Sequence, residues 1–368
     1  MASINWRFLF VRRIATQPQN YRGARFNELD AFRGFAALWV VLFHYLYRYD
    51  VKYGTNGTAL VGSFEYIGGI FGVYLFFMIS GFVIFMTIRG VGSWMDFVVS
   101  RFSRLYPAYW SAVAVTGAVA WWFPLPGQTV SGGQIIANLT MLQSFFYIPN
   151  VDGVYWTLGI ELAFYVVMLM LFLSRMLGRI EAVGWIWLGV AMATHLAALL
   201  GFHLPYRISL LFILDYAQLF IAGIVFYLVW LAGYSWNRIC LLGACLVVEF
   251  FAQDGMTVIV IAGFFVAFHF CVMGRLGWVS CGPVLWLGAI SYPLYLTHQM
   301  IGYRVIATML QAGVPAPIAI VSVIGGALAL ATALSVYIER PTMRLIRRYY
   351  RRWLTQVRPE SAIFRGPV

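Results

Sequence analysis

Ten apolar runs follow one another along this chain with only short links between them: 29–49, 68–88, 105–123, 154–173, 183–201, 210–231, 239–252, 256–273, 283–303 and 316–338. A helix rises about 1.5 Å per residue, so roughly 20 apolar residues cross the hydrocarbon core of a bilayer. Backbone polar groups in lipid must be satisfied within the span, which makes such runs helical. Composition points the same way. With 62% hydrophobic and 10% charged residues over 368 positions, a soluble fold of this size has no interior large enough for its apolar side chains. The pattern predicts an all-α, polytopic transmembrane bundle of about ten spans, multi-pass in the cell (inner or plasma) membrane. Residues 1–28 read as a cytoplasmic tail, 29–338 as the membrane domain and 339–368 as a basic cytoplasmic tail. The first 28 residues hold only a short apolar piece, FLFV, and no cleavage site of a secretory leader.

The net charge of +12 invites a nucleic-acid partner, but the basic residues sit between the apolar runs and in the tails, as topology determinants do. Place the N-terminus in the cytoplasm. Of the 25 Lys and Arg, 20 then fall on the cytoplasmic side, four (Arg48, Lys52, Arg207 and Arg304) fall outside, and Arg33 lies within the first run. Both termini are therefore expected in the cytoplasm, with the lipid bilayer as partner and no nucleic acid. The segment RLIRRYYRRWL (344–354) suits either a helix lying on an anionic leaflet or a simple stop signal. The four cysteines show no metal spacing and read as small core residues; no metal is expected.

The first run carries two ionisable groups, which are costly in a membrane and usually face the protein interior. Arg33 and His44 are eleven residues apart, so they lie within about 20° of one another on a helix, separated by roughly 16 Å. Glu161, His195, Asp215 and His298 fall at similar distances from the outer ends of their runs as His44 does. That common depth predicts one polar chamber opening outward. On the other side, Arg101 and Arg104 are three residues apart and share a helix face. Two guanidiniums there suit a phosphorylated ligand.

Six segments in order carry a resemblance. They are ELDAFRGFAALWVVLFHY (28–45), GVYLFFMISGFVI (72–84), RFSRLYPAYW (101–110), WTLGIELAFY (156–165), SYPLYLTH (291–298) and IERP (338–341). From Asn27 to about Pro341 the chain resembles the acyltransferase-3 family of integral-membrane acyltransferases, which modify bacterial surface glycans and some secreted metabolites. Two departures stand out: Leu162 and Ala163 follow Glu161 where many members have a second acid and a Gln, and Tyr74 stands where many have Asp. Many members also carry a fused extracytoplasmic domain, which is not expected here.

The resemblance implies an O-acyltransferase that moves an acyl group, most often acetyl, from cytoplasmic acetyl-CoA to a hydroxyl of a glycan such as exopolysaccharide, O-antigen or a lipid-linked sugar. On that reading Arg33, Arg101 and Arg104 hold the donor's phosphates. His44 is general base or acylated intermediate. Glu161 orients its ring, and His298 is a further catalytic candidate. Ser80, Ser291 or Tyr292 donates to the oxyanion. A secreted small-molecule acceptor and a succinyl donor are alternatives. A transporter is the rival class, against which stands the lack of a visible inverted repeat.

Overall fold

The computed structural model describes residues 26–53 and 68–357. The tail 1–25, the link 54–67 and the end 358–368 lie outside the described residues. The fold is 83% helical, with no strand among the described residues. Its main helices are α1 (Asn27–Phe43), α2 (Ile70–Gly90), α3 (Trp94–Trp122), α4 (Trp156–Leu173), α5 (Ile180–Leu199), α6 (Ala217–Ala232), α7 (Trp236–Ala252), α8 (Gly255–Val272), α9 (Gly282–Thr297), α10 (Gln299–Gln311), α11 (Ala316–Leu334) and α12 (Arg340–Val357).

Among the described residues, seven helical segments are long and apolar enough to cross a membrane: Asn27–Tyr53, Ile70–Gly90, Gly153–Leu173, Met176–Leu199, Tyr206–Ala232, Gly255–Val272 and Ala316–Gln356. The other three runs also fold as helix, but differently from expectation. The run 105–123 is the second part of a longer helix, because the capping box of Ser93 and Asp96 starts α3 at Trp94. The run 239–252 belongs to α7, which has 17 residues. The run 283–303 is two helices, α9 and α10, broken at His298. Helix also continues across the boundary drawn at 338/339. Ala316–Gln356 is helical throughout, and α12 packs on α3, its Tyr350 hydroxyl donating to Asp96 Oδ1 at 2.9 Å. Cys245 and Cys271 are buried as expected for core residues, whereas Cys240 and Cys281 are exposed.

Helix α1 runs between α2 and α9, and close approach there depends on missing side chains. A Cβ on Gly34 would come within 2.8 Å of the Gly288 amide nitrogen, and one on Gly288 would strike the Asp30 carbonyl. Helices α2 and α6 cross in the same way. A Cβ on Gly81 would meet the Phe220 carbonyl, and one on Gly223 the Met78 carbonyl. Small residues at crossings let lipid-embedded helices gain van der Waals contact that longer side chains prevent. A third close approach, where a Cβ on Gly72 would come within 2.7 Å of the Ala36 carbonyl, joins α2 to α1, so α1, α2 and α9, which carry much of the site, are held together.

Two helices contain a π turn. Tyr49 N–H donates to the His44 carbonyl across His44–Arg48, and Arg340 N–H to the Ser335 carbonyl across Ser335–Glu339. Such turns hold an extra residue and often mark functional positions. His44 opens the first and Glu339 closes the second.

Candidate active site

The site has two ends, and the Arg-lined end is a cavity of ≈ 90 Å³ among α1, α2, α3, α4 and α9. Seven of the residues singled out from the sequence line it: Arg33, Ser80, Arg101, Arg104, Glu161, Ser291 and Tyr292. Arg101 and Arg104 reach it because α3 begins at Trp94, seven residues before Arg101, which places them roughly 10–15 Å into the helix. Arg101 donates to Ser100 Oγ at 3.1 Å and lies over the Tyr165 ring at 5.9 Å. Tyr165 in turn donates to Glu161 Oε1 at 2.6 Å. Arg104 pairs with Glu339, whose side chain is 1% exposed, and lies over the Tyr292 ring. Arg33 sits in the field of Arg104, Asp30, Glu161 and Glu339. Three guanidiniums thus share this region with Glu161 and Glu339, an arrangement that favours an anion.

The hydroxyls differ in what they have left to give. Ser291 donates to the Gly288 carbonyl at 2.8 Å and Tyr292 to the Leu105 carbonyl at 3.1 Å. Each has one O–H hydrogen, and a backbone carbonyl holds it. Of the three oxyanion candidates, Ser80 alone faces the cavity without such a bond among the described residues.

His44 and His298 form the other end. His298 Nε2 lies 3.4 Å from His44 Nδ1, and the rings stand nearly perpendicular, 4.9 Å between centroids. Carbonyls only accept, so they fix the tautomers. His298 Nδ1–H donates to the Tyr295 carbonyl at 2.8 Å, which leaves Nε2 as a lone pair toward His44. His44 Nδ1–H donates to the Val40 carbonyl at 2.8 Å. The unprotonated nitrogen of His44 is therefore Nε2. His298 is wholly buried, at the break between α9 and α10. Pro293, inside α9, has no N–H to offer the Ala289 carbonyl four residues back; Ser335 Oγ donates to that carbonyl instead, at 3.4 Å.

Asp152 holds the far side of the break. Its Oδ2 accepts from Met300 N–H at 3.0 Å and its Oδ1 from Val154 N–H at 3.2 Å, joining the start of α10 to the turn that leads into α4. Sequence reading passes over this Asp, because an Asp-Gly pair between apolar runs reads as an exposed turn. It is wholly buried. Burial pushes its carboxyl up to about 6, against the two amide bonds and Lys52, which favour the charged form. The sign follows from linkage. A carboxyl raised above its unfolded value costs stability when it must ionise. The wild type should therefore lose stability relative to Asp152→Asn as pH rises from about 4 to about 6, by on the order of 3 kcal/mol, and stay level above that. Thermal unfolding of both proteins across that range measures the difference; parallel curves would contradict it.

The single outward chamber expected from the sequence is not formed. His44 and His298 meet, but Glu161 lies with the arginines and makes no hydrogen bond to His44. Tyr295 stands between the two ends. Its ring lines the cavity and lies 5.9 Å from His298, while its hydroxyl is bonded to Thr157 Oγ1 at 2.8 Å. His195 and Asp215 lie apart from both ends. Asp215 accepts from Ser209 at 2.7 Å and is the charge that acts on His195. Run ends give distances along separate helices, which say nothing about how those helices are staggered or which way around each a side chain faces. Tyr165 and Glu339 were not singled out from the sequence. The signal for Glu339 was present, since it is a carboxylate closing a long apolar run.

The family model for the acyltransferase domain, acyltransferase-3, matches residues 26–337. Among curated proteins, the chain is 30% identical to "Acyltransferase MdmB" of Streptomyces mycarofaciens over 39% of this chain and 38% of that protein. It is 28% identical to "Nodulation protein 10" of Rhizobium leguminosarum bv. viciae over 39% of this chain and 44% of that one. The aligned regions thus span less than half of these two relatives. Similarity to "Exopolysaccharide production protein ExoZ" of Rhizobium meliloti (strain 1021) is 26% over 75% of this chain and 90% of that protein. No solved structure matches the chain significantly. Because the family model extends over most of the sequence, from the first turn of α1 to the second π turn, this chain belongs to the acyltransferase-3 family of acyltransferases.

Proposed function

We propose that the protein is a membrane-embedded O-acyltransferase that takes acetyl from cytoplasmic acetyl-CoA and transfers it to a hydroxyl of a glycan. The observation that carries this reading is the site's polarity: an arginine-lined cavity at one end of α1 and a histidine with a free Nε2 at the other, eleven residues along the same helix. In this reading the chain crosses the inner membrane about ten times with both termini in the cytoplasm, as its basic residues favour. The printed name of the relative ExoZ supports an exopolysaccharide as acceptor.

The donor's phosphates bind Arg33, Arg101 and Arg104, and its pantetheine arm passes Tyr295 toward the histidines. The acceptor hydroxyl oxygen attacks the thioester carbonyl while His44 Nε2 takes its proton. The tetrahedral intermediate collapses, the C–S bond breaks, and the imidazolium returns the proton to the leaving thiolate. The His298 Nε2 lone pair, 3.4 Å from His44 Nδ1, steadies the charged ring while the Val40 carbonyl keeps the Nδ1 hydrogen. Glu161 serves the donor end in this scheme, balancing the guanidiniums through Tyr165 and Arg101. Purified protein in nanodiscs, given acetyl-CoA and an oligosaccharide acceptor, should release CoA and acetylate the acceptor in equal amounts. No release with any hydroxyl acceptor, alongside uptake of labelled solute into proteoliposomes, would favour the transporter.

A further inference from the structure

Helix α12 brings a second set of guanidiniums beside Arg101 and Arg104. Arg347 Nε donates to Ser103 Oγ at 3.1 Å. Ser103 is wholly buried and lies between Arg101 and Arg104 in sequence. Among the described residues that is the hydrogen bond Arg347 makes, and it leaves the two terminal nitrogens unused. The charges acting on Arg347 are Arg101, Arg104 and Arg351, all of its own sign. The nearby carboxylates are engaged elsewhere: Glu339 with Arg104, and Asp96 with the Tyr350 hydroxyl and the Ser93 amide. Four guanidiniums so placed repel one another unless a polyanion joins them, and a guanidinium with two free terminal nitrogens is built to grip phosphate bidentately.

We propose that Arg347, with Arg351 one turn further on, binds the ribose 3′-phosphate of the CoA thioester. The order of groups along the donor supports this. From the thioester outward come the pantetheine arm, the 5′-diphosphate, and then the ribose with its 3′-phosphate. Arg101 and Arg104 line the cavity, whereas Arg347 does not; it sits outside the lining, on α12, bonded to Ser103. A donor whose diphosphate meets Arg101 and Arg104 has one phosphate left, at the position farther from the thioester. Helix α12 would then be part of the donor site and not only a basic tail. The inference rests on the CoA donor proposed above.

The test compares acetyl-CoA with 3′-dephospho-acetyl-CoA by calorimetry, in nanodiscs of phosphatidylcholine alone and with added phosphatidylglycerol. Wild type should bind acetyl-CoA about 10- to 100-fold more tightly than the dephospho compound, the worth of one charge-assisted contact. Arg347→Gln should lose that preference and bind the dephospho compound as wild type does, in both lipids. Several outcomes overturn the site. Wild type binding the two thioesters equally does so with no variant needed. Arg347→Gln weakening both equally does so too, as does an effect confined to the anionic lipid, which would assign Arg347 to a headgroup phosphate. Wild type binding neither thioester would remove the donor assignment itself.

Discussion

His44→Gln should lower acyl transfer by about 10²–10⁴-fold and leave acetyl-CoA affinity within about twofold of wild type. The separation of effects comes from the layout of α1. The cavity with Arg33, Arg101 and Arg104 lies roughly 16 Å along the helix from His44, with the Tyr295 ring between. Glutamine keeps a donor for the Val40 carbonyl but has no nitrogen that takes up and returns a proton. Single-turnover transfer from pre-bound labelled acetyl-CoA reads the chemical step directly. A well-folded variant that kept more than about a tenth of wild-type turnover would falsify the role of His44 as base. His298→Gln should cost less, because His298 Nε2 touches His44 and not the proposed reacting atoms.

The arginines should separate into two kinds of defect. Arg101→Gln should weaken acetyl-CoA binding about 10- to 100-fold at nearly unchanged stability, since its direct partners are the Ser100 and Thr87 hydroxyls and the Tyr165 ring, none of them a charge. Arg104→Ala does something else first. It leaves Glu339, buried at the closing π turn, as an uncompensated carboxylate. Breaking such a pair typically costs about 3–5 kcal/mol. Adding Glu339→Gln should recover most of the stability but none of the affinity, because the phosphate contact is still missing. Thermal unfolding and calorimetry on the single and double variants separate the two. Affinity restored together with stability would mean that Arg104 holds the fold and not the donor.

The helical nature of the fold was legible because lipid permits little else for apolar runs of this length. The residues that gather at the Arg-lined end were legible as well, since a charge placed in an apolar run needs a reason to be there. Less legible was their grouping. Arg101 looked like a boundary residue until the Ser93–Asp96 capping box moved the start of α3 outward. Glu161 was placed at the depth of His44 from the run ends, but it lines the cavity with the arginines. Span 283–303 looked continuous because His298 itself keeps helical dihedrals, and at the break the Met300 amide bonds to a carboxylate from elsewhere, Asp152. Asp152 and Ser103 matter through long-range contacts, for which a linear pattern has no marker.

The π turn at His44–Arg48 has a consequence for how α1 tolerates change. One surplus residue is stored there, so the helix before it and the helix after it are set to different rotational phases. The phase before it points His44 at His298. The phase after it carries Tyr49 and Tyr53 to the Tyr303 ring, at 5.4 and 5.9 Å between centroids. The turn works like a vernier: losing or gaining one residue within it shifts the aromatic contact of the distal segment while the histidine keeps its aim. Chain length and the placement of His44 are thereby uncoupled at this one point after α1.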